Sequence, residues 1–341
     1  MSHGQWNSVS LPKVELHRHL EGALRFSTVL ELARNAGMDV PEDRLSAQKM
    51  FLVEEPMVDL GTVLKKFLNT QKLLSSEEIL SRITFEAIED AYEDGIRILE
   101  LRYAPTFIAE GHPHLDYKKI HRAILKGAEL ANKFPVAVGF ICIFQRILPL
   151  ETSKKVLHFF LDHRQDFIGA DLADDEAFRP AKDFSPLFQE LVRHNVPITI
   201  HAGEALIPEA AQNVMDSLEI LGARRIGHGL QIVKSPQALK KVIAAKVPLE
   251  ICPTSNYLTQ AIPDLQSHPI NQLRQAGVLV TVNSDDPGIF NYKLSDEYNL
   301  LHRHYGWSES DFTKANQIAF DASFIPNEIK NRFWPSAKRS L

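Results

Sequence analysis

The residues best equipped for chemistry stand in VELHRHLEG, residues 14–22. Side chains alternate along an extended strand, so His17 and His19 share one face while Leu16, Arg18 and Leu20 share the other. Two neutral imidazoles converging on one point can bind a divalent transition metal. The pattern is weak alone, because 14 histidines in 341 residues give about one His-x-His by chance. Two more occur: His302 and His304 fall in a helical pattern, where residues two apart do not share a face, and His112 and His114 sit in the Gly/Pro loop EGHPH.

The opening strand gains weight from polar residues farther along. His201-Ala-Gly-Glu204, His228 and the pair Asp285-Asp286 each close a short β-rich run that reads as apolar up to its end. A buried histidine with one hydrogen-bond partner is the ordinary reading of any one of them. Together they supply three histidines and a carboxylate, a natural N3O set for a divalent metal that leaves one position for water. Such a metal lowers the pKa of its water from 15.7 toward about 7. Glu204, past a glycine that allows the turn, can face the same cavity as a general acid or base. His228 could orient or deprotonate the water. Of the two aspartates one is expected to bind metal and the other substrate, since adjacent side chains diverge; spacing does not say which.

These groups need a scaffold that brings strand ends together. After a mostly helical stretch to about residue 94, β-rich runs at 96–104, 137–144, 167–173, 197–203, 225–230, 248–255 and 279–287 alternate with amphipathic helical segments. With the opening strand this makes eight, as a closed parallel (β/α)8 TIM barrel requires, and no Gly-rich phosphate turn follows the first strand to favour an open doubly wound sheet. Ser75-x-x-Glu78 reads as the capping box of the last helix before the second strand. Additional helices are expected at about 27–94 and 308–341, the latter packed on the outside, and residues 1–341 read as one domain. A barrel places its active site at the C-terminal ends of its strands, where the polar residues fall.

Composition narrows the partners. A net charge of −5 and the absence of a basic tract offer no footprint for nucleic acid. No apolar run could span a bilayer, and the N-terminus lacks the features of a secretory signal. The charge argues for a small-molecule partner; Cys142 and Cys252 lie in apolar segments and read as free buried thiols, which predicts a cytoplasmic protein. Oligomeric state is not legible.

Taken in order, VELHRHLEG, HAGE (201–204), GHG (227–229), CPTSN (252–256) and NSDDP (283–287) resemble the adenosine deaminase family of metal-dependent amidohydrolase barrels. The resemblance implies that His17, His19, His201 and Asp285 hold one Zn²⁺, or another divalent transition metal. It implies that Glu204 donates a proton to purine N1, that His228 activates and orients the attacking hydroxide, and that Asp286 meets purine N7 and the hydroxide. It places His19, Glu21, Asp174, Gly203, Leu64, Phe67 and Asp286 around a purine substrate. The implied reaction, of the purine-salvage type, is hydrolytic loss of ammonia from C6 of adenosine or 2′-deoxyadenosine. Two positions depart from the best-known members. Glu21 replaces an aspartate expected at the sugar 5′-hydroxyl, and Asp174 replaces a glycine whose amide meets purine N3. Adenine, N6-substituted AMP and aminofutalosine-type nucleosides are the alternative substrates, and a metal-dependent hydrolase of another bond type or an idle binding protein the alternative functions.

Overall fold

The computed structural model describes residues 7–57 and 60–335, without the side chains of 60–62, 64 and 65. Its strands are β1 (Lys13–His19), β2 (Ile96–Tyr103), β3 (Ala137–Gln145), β4 (Gly169–Ala173), β5 (Ile198–Ala202), β6 (Arg225–His228), β7 (Leu249–Ile251) and β8 (Val280–Val282). They pair in sequence order, all parallel. A parallel bridge between Arg18 and Asp285 brings β8 back to β1, with the Asp285 amide donating to the His17 carbonyl at 2.8 Å and the His19 amide to the Asp285 carbonyl at 2.9 Å. The fold is a (β/α)8 barrel, as the alternation of strand and helix patterns requires. Helices cover its outside, and a continuous apolar layer between them and the strands is fully buried, including Leu101, Phe144, Leu172, Ile200 and Ile226.

Three local expectations are corrected. The helix Glu77–Glu93 is capped by Ser76, whose Oγ accepts from the Ile79 amide at 3.2 Å, not by Ser75. Glu78 then sits in the first turn, where a negative charge suits the positive helix end. The strands are also not apolar up to their ends: Glu100, Arg102, Asp171, Arg225 and Glu250 are fully buried inside the barrel and pair with one another. Charges survive there because each has an opposite partner at 2.6 to 2.8 Å. Finally, the chain beyond 308 does more than pack outside. Asn316, on the helix Glu309–Ala322, accepts from the Val14 amide at 2.9 Å. Past that helix, Ser323 and Phe324 donate to the buried Glu100 carboxylate at 2.7 and 2.5 Å, and the Phe324 ring lies 3.7 Å from the Arg225 guanidinium. This segment closes the N-terminal end of the barrel, opposite the strand ends that carry the histidines.

Candidate active site

The ligating atoms of His17, His19, His201 and Asp285 lie within 4.8 Å of one another at the C-terminal end of the barrel. His17 Nε2 is 3.2 Å and His19 Nε2 3.3 Å from Asp285 Oδ1, and the Nε2 atoms of His19 and His201 are 3.2 Å apart. Four lone-pair donors thus face one point. The donor set fits a bound cation: His17 Nε2 is buried without a hydrogen-bond partner among the described residues, and burial holds His19 well below its ordinary pKa, in the neutral state that ligates.

The other nitrogens of the rings are committed to carboxylates. His17 Nδ1 donates to Glu250 Oε2 at 2.8 Å and His201 Nδ1 to Asp171 at 3.0 Å. Burial alone would raise both acids, but Arg102, with Arg225 beside Glu250 and His201 beside Asp171, holds them below the usual carboxylate range. Such partners fix the ring's tautomer and orientation. Sequence reading missed both acids, although Asp171 opens DLADDE; both stand inside their strands and not at the ends.

Backbone geometry aims the site. His228, Asp285 and Asp174 have φ of 61°, 58° and 85°, in the left-handed region that residues with a side chain seldom adopt, and each stands at or just beyond a strand end. Gly22 is required for close approach, since a β-carbon there would fall 1.7 Å from Asp286 Oδ1. Asp286 Oδ1 is buried without a partner among the described residues; burial, and then the charge of Asp285, pushes its carboxyl well above the ordinary range.

His228 Nε2 lies 3.5 Å from Glu204 Oε2, and Thr259 Oγ1 is 3.1 Å from Glu204 Oε1. Glu204 is held by a residue not singled out from the sequence. Glu176 accepts from the amides of Gly203, Glu204 and Ala205 at 2.9, 2.7 and 2.7 Å, and from Asn213 at 3.1 Å. The only signal was its place at the end of DLADDE. Gly203, expected near the substrate, gives its amide to Glu176 and does not line the cavity.

A cavity of about 560 Å³, within the range of small-molecule sites, opens above this cluster. His19, Glu21, Phe67, Asp174, Glu204 and Asp286 are on its wall; Leu64 lies outside the residues whose side chains are described. Glu21 Oε1 accepts from the Ala104 amide at 2.6 Å, its Oε2 has no partner among the described residues, and burial pushes its pKa up to about 8. The Asp174 carboxylate turns aside to accept from Gln145 Nε2 at 3.0 Å. No Lys or Arg is among the described lining residues, and no described helix is long and apolar enough to cross a membrane.

The sequence model of the family described as adenosine deaminase matches residues 12–336. An adenosine deaminase of Plasmodium gallinaceum is 31% identical over 331 residues, covering 94% of this chain and 89% of the relative. Among solved structures, an adenine deaminase from Arthrobacter aurescens superposes with a TM-score of 0.86 at 25% identity, covering 94% of this chain and 96% of that one. The N6-methyl-AMP deaminase of Arabidopsis thaliana does so with a TM-score of 0.81 at 28% identity, covering 96% of each. A barrel carrying these motifs at its strand ends, matched along nearly its whole length, belongs to the adenosine deaminase family.

Proposed function

We propose that the protein hydrolytically deaminates a neutral 6-aminopurine, adenosine or 2′-deoxyadenosine first, giving the 6-oxopurine and ammonia. The observation that carries this reading is the four-ligand cluster with Glu204 and His228 beside it on one cavity wall. His17, His19, His201 and Asp285 would hold the metal, and three imidazoles with one carboxylate suit zinc. When bound, the metal activates water and makes it nucleophilic at neutral pH. Glu204 protonates the purine at N1, which relieves the loss of aromaticity as oxygen adds to C6. His228 orients the attacking oxygen. Asp286, buried and inclined to stay protonated, donates to purine N7. His19, Glu21, Asp174 and Phe67 border the substrate.

The absence of Lys and Arg from the described lining, against several carboxylates, favours a neutral substrate over a phosphorylated one. A second reading, free adenine, is favoured by Glu21, a longer acid than aspartate that is buried against the Ala104 amide where a sugar hydroxyl would be received. The relatives named above include both an adenosine deaminase and an adenine deaminase. The reaction suits purine salvage in the cytoplasm.

An ammonia-release assay over adenosine, 2′-deoxyadenosine, adenine, AMP, N6-methyl-AMP and an aminofutalosine-type nucleoside tests the proposal. The nucleosides should be turned over best. Adenine favoured by more than about tenfold, a difference of 1.4 kcal/mol in transition-state stabilisation, would reverse the order, and no ammonia from any of them would sink the reading.

A further inference from the structure

Behind the cavity wall, His228 leads into a row of buried polar groups. Its Nδ1 lies 3.0 Å from Asn256 Nδ2, Asn256 Oδ1 lies 3.3 Å from His268 Nε2, and the Ile270 amide donates to His268 Nδ1 at 3.1 Å. His228, Asn256 and His268 are all buried. The last link arises because Ile270 opens the helix Ile270–Gln275, whose first amides have no partner inside the helix.

That link fixes the direction of the whole row. A carboxamide or an imidazole can be placed either way round, but a backbone amide has a hydrogen and no usable lone pair. The Ile270 N–H therefore demands a lone pair on His268 Nδ1. Burial drives His268 down to about 3, so the ring is neutral and carries its one proton on Nε2. An Nε2–H needs an acceptor, so the Asn256 atom facing it is the oxygen. The amide NH₂ then faces His228 Nδ1 and donates to it. With Nδ1 accepting, the proton of neutral His228 is on Nε2, the nitrogen 3.5 Å from Glu204 Oε2.

We propose that Asn256 and His268 are positioning residues that hold His228 in its Nε2–H tautomer, so that His228 donates a hydrogen bond into the cavity and does not act as a base. Of the two roles open to this histidine, orienting and deprotonating, the row leaves the first. Its only lone pair faces Asn256. The catalytic consequence rests on the deaminase reading: the proton leaving the attacking water goes to the Glu204 carboxylate and from there to purine N1, as the oxygen bonds to C6. The tautomer itself rests only on the hydrogen-bond row.

Long-range ¹H–¹⁵N correlation on metal-loaded protein labelled with ¹⁵N-histidine tests the tautomer directly, the His228 signals being assigned by their loss in His228→Gln. Nε2 is expected to carry the proton and Nδ1 to be bare; a proton on Nδ1 overturns the proposal whatever the substrate proves to be. Asn256→Asp, which can only accept, should draw the proton to Nδ1 and lower kcat for adenosine by about 100-fold, in the range of a lost hydrogen-bond donor at the reacting centre, with KM and metal content retained. His268→Gln, whose amide can still donate to Asn256, should keep the Nε2–H signal and most of the activity. Full kcat in Asn256→Asp with the proton shown on Nδ1 would refute the catalytic consequence. A protein that deaminates no aminopurine yet shows the Nε2 proton would refute the deaminase reading and leave the tautomer standing.

Discussion

Glu250 Oε2 lies 2.8 Å from His17 Nδ1 and accepts from Arg102 at the same distance, while its other oxygen accepts from Arg225 at 2.6 Å and Thr199 at 2.9 Å. One carboxylate deep in the barrel thus orients a histidine of the cluster and bridges two buried guanidinium groups, whose other partners are Asp171 and Glu100. Glu250→Gln should therefore act twice. Metal affinity, measured by competition with a chromophoric chelator, should fall by about 10- to 100-fold as His17 loses its basic partner. Stability to urea should fall by about 3–5 kcal/mol, because two buried cations lose a shared counter-charge.

Removal of the proton carrier should separate chemistry from metal binding. The Glu204 carboxylate accepts from Thr259 Oγ1 and lies 3.5 Å from His228 Nε2, outside the four-ligand cluster. Glu204→Gln is expected to lower kcat on the order of 10²–10⁴ and to leave the metal stoichiometry by elemental analysis as in the parent. A mutant with full activity would remove Glu204 from the mechanism.

Glu176 should matter to the rate without touching the substrate's reacting edge. It gathers three successive amides, those of residues 203 to 205, and a buried donor left without its acceptor costs about 1–3 kcal/mol. In Glu176→Ala the turn that carries Glu204 relaxes. The expected result is a kcat lower by roughly 10- to 100-fold, corresponding to about 1.4–2.7 kcal/mol of barrier, alongside a lowered melting temperature. Glu176→Gln, which keeps an acceptor oxygen, should recover part of both.

How much of this was legible in the sequence follows from where each residue stands. His17, His19, His201, His228 and Asp285 are legible because they gather at the ends of β-rich runs, and an imidazole at the end of a barrel strand has no bland role common enough to account for all of them. Glu250 and Asp171 were not. They sit mid-strand, where a charge reads as solvent-facing or as noise, and only closure of the barrel shows that Arg102 and Arg225 arrive opposite them. Asn256 and His268 were hidden for a related reason: their significance lies in a hydrogen bond from one backbone amide, which no residue pattern encodes. The segment Ser323–Phe324 reads as a helix boundary, and its contact with Glu100 is a long-range accident of topology.

Stability should depend on pH through Glu297. Its Oε1 accepts from the Thr254 amide at 2.8 Å, its Oε2 has no partner among the described residues, and burial pushes its pKa up to about 8. The folded state thus prefers the protonated acid more than the unfolded chain does. The associated stability is fully present below the unfolded value near 4.5 and is lost as pH rises through about 8. Glu297→Gln, isosteric with the neutral acid, should flatten that loss: at pH 8.5 it should be more stable than the parent by a margin on the order of a few kcal/mol, at about 1.4 kcal/mol per pKa unit, and at pH 4 the two should unfold alike. Urea midpoints across that range decide it, and an unchanged pH slope would show that Glu297 is ionised when folded.

Discrimination against a 5′-phosphate should be large and electrostatic. Phosphate-recognising pockets present Arg or Lys, whereas the described wall here presents Glu21, Glu110, Asp174, Asp175, Glu204 and Asp286 and no cation. A dianion entering among these groups loses water and gains no counter-charge, which costs several kcal/mol. AMP should accordingly show a kcat/KM lower than adenosine by about 10³-fold or more, equivalent to about 4 kcal/mol. The penalty should shrink as ionic strength rises, because the carboxylates at the open mouth are screened. Glu110→Lys, a change at the exposed rim, should narrow the gap by raising AMP turnover while leaving adenosine nearly unaffected. Equal turnover of AMP and adenosine by the parent protein would mean that a cation reaches the substrate from residues outside the described wall.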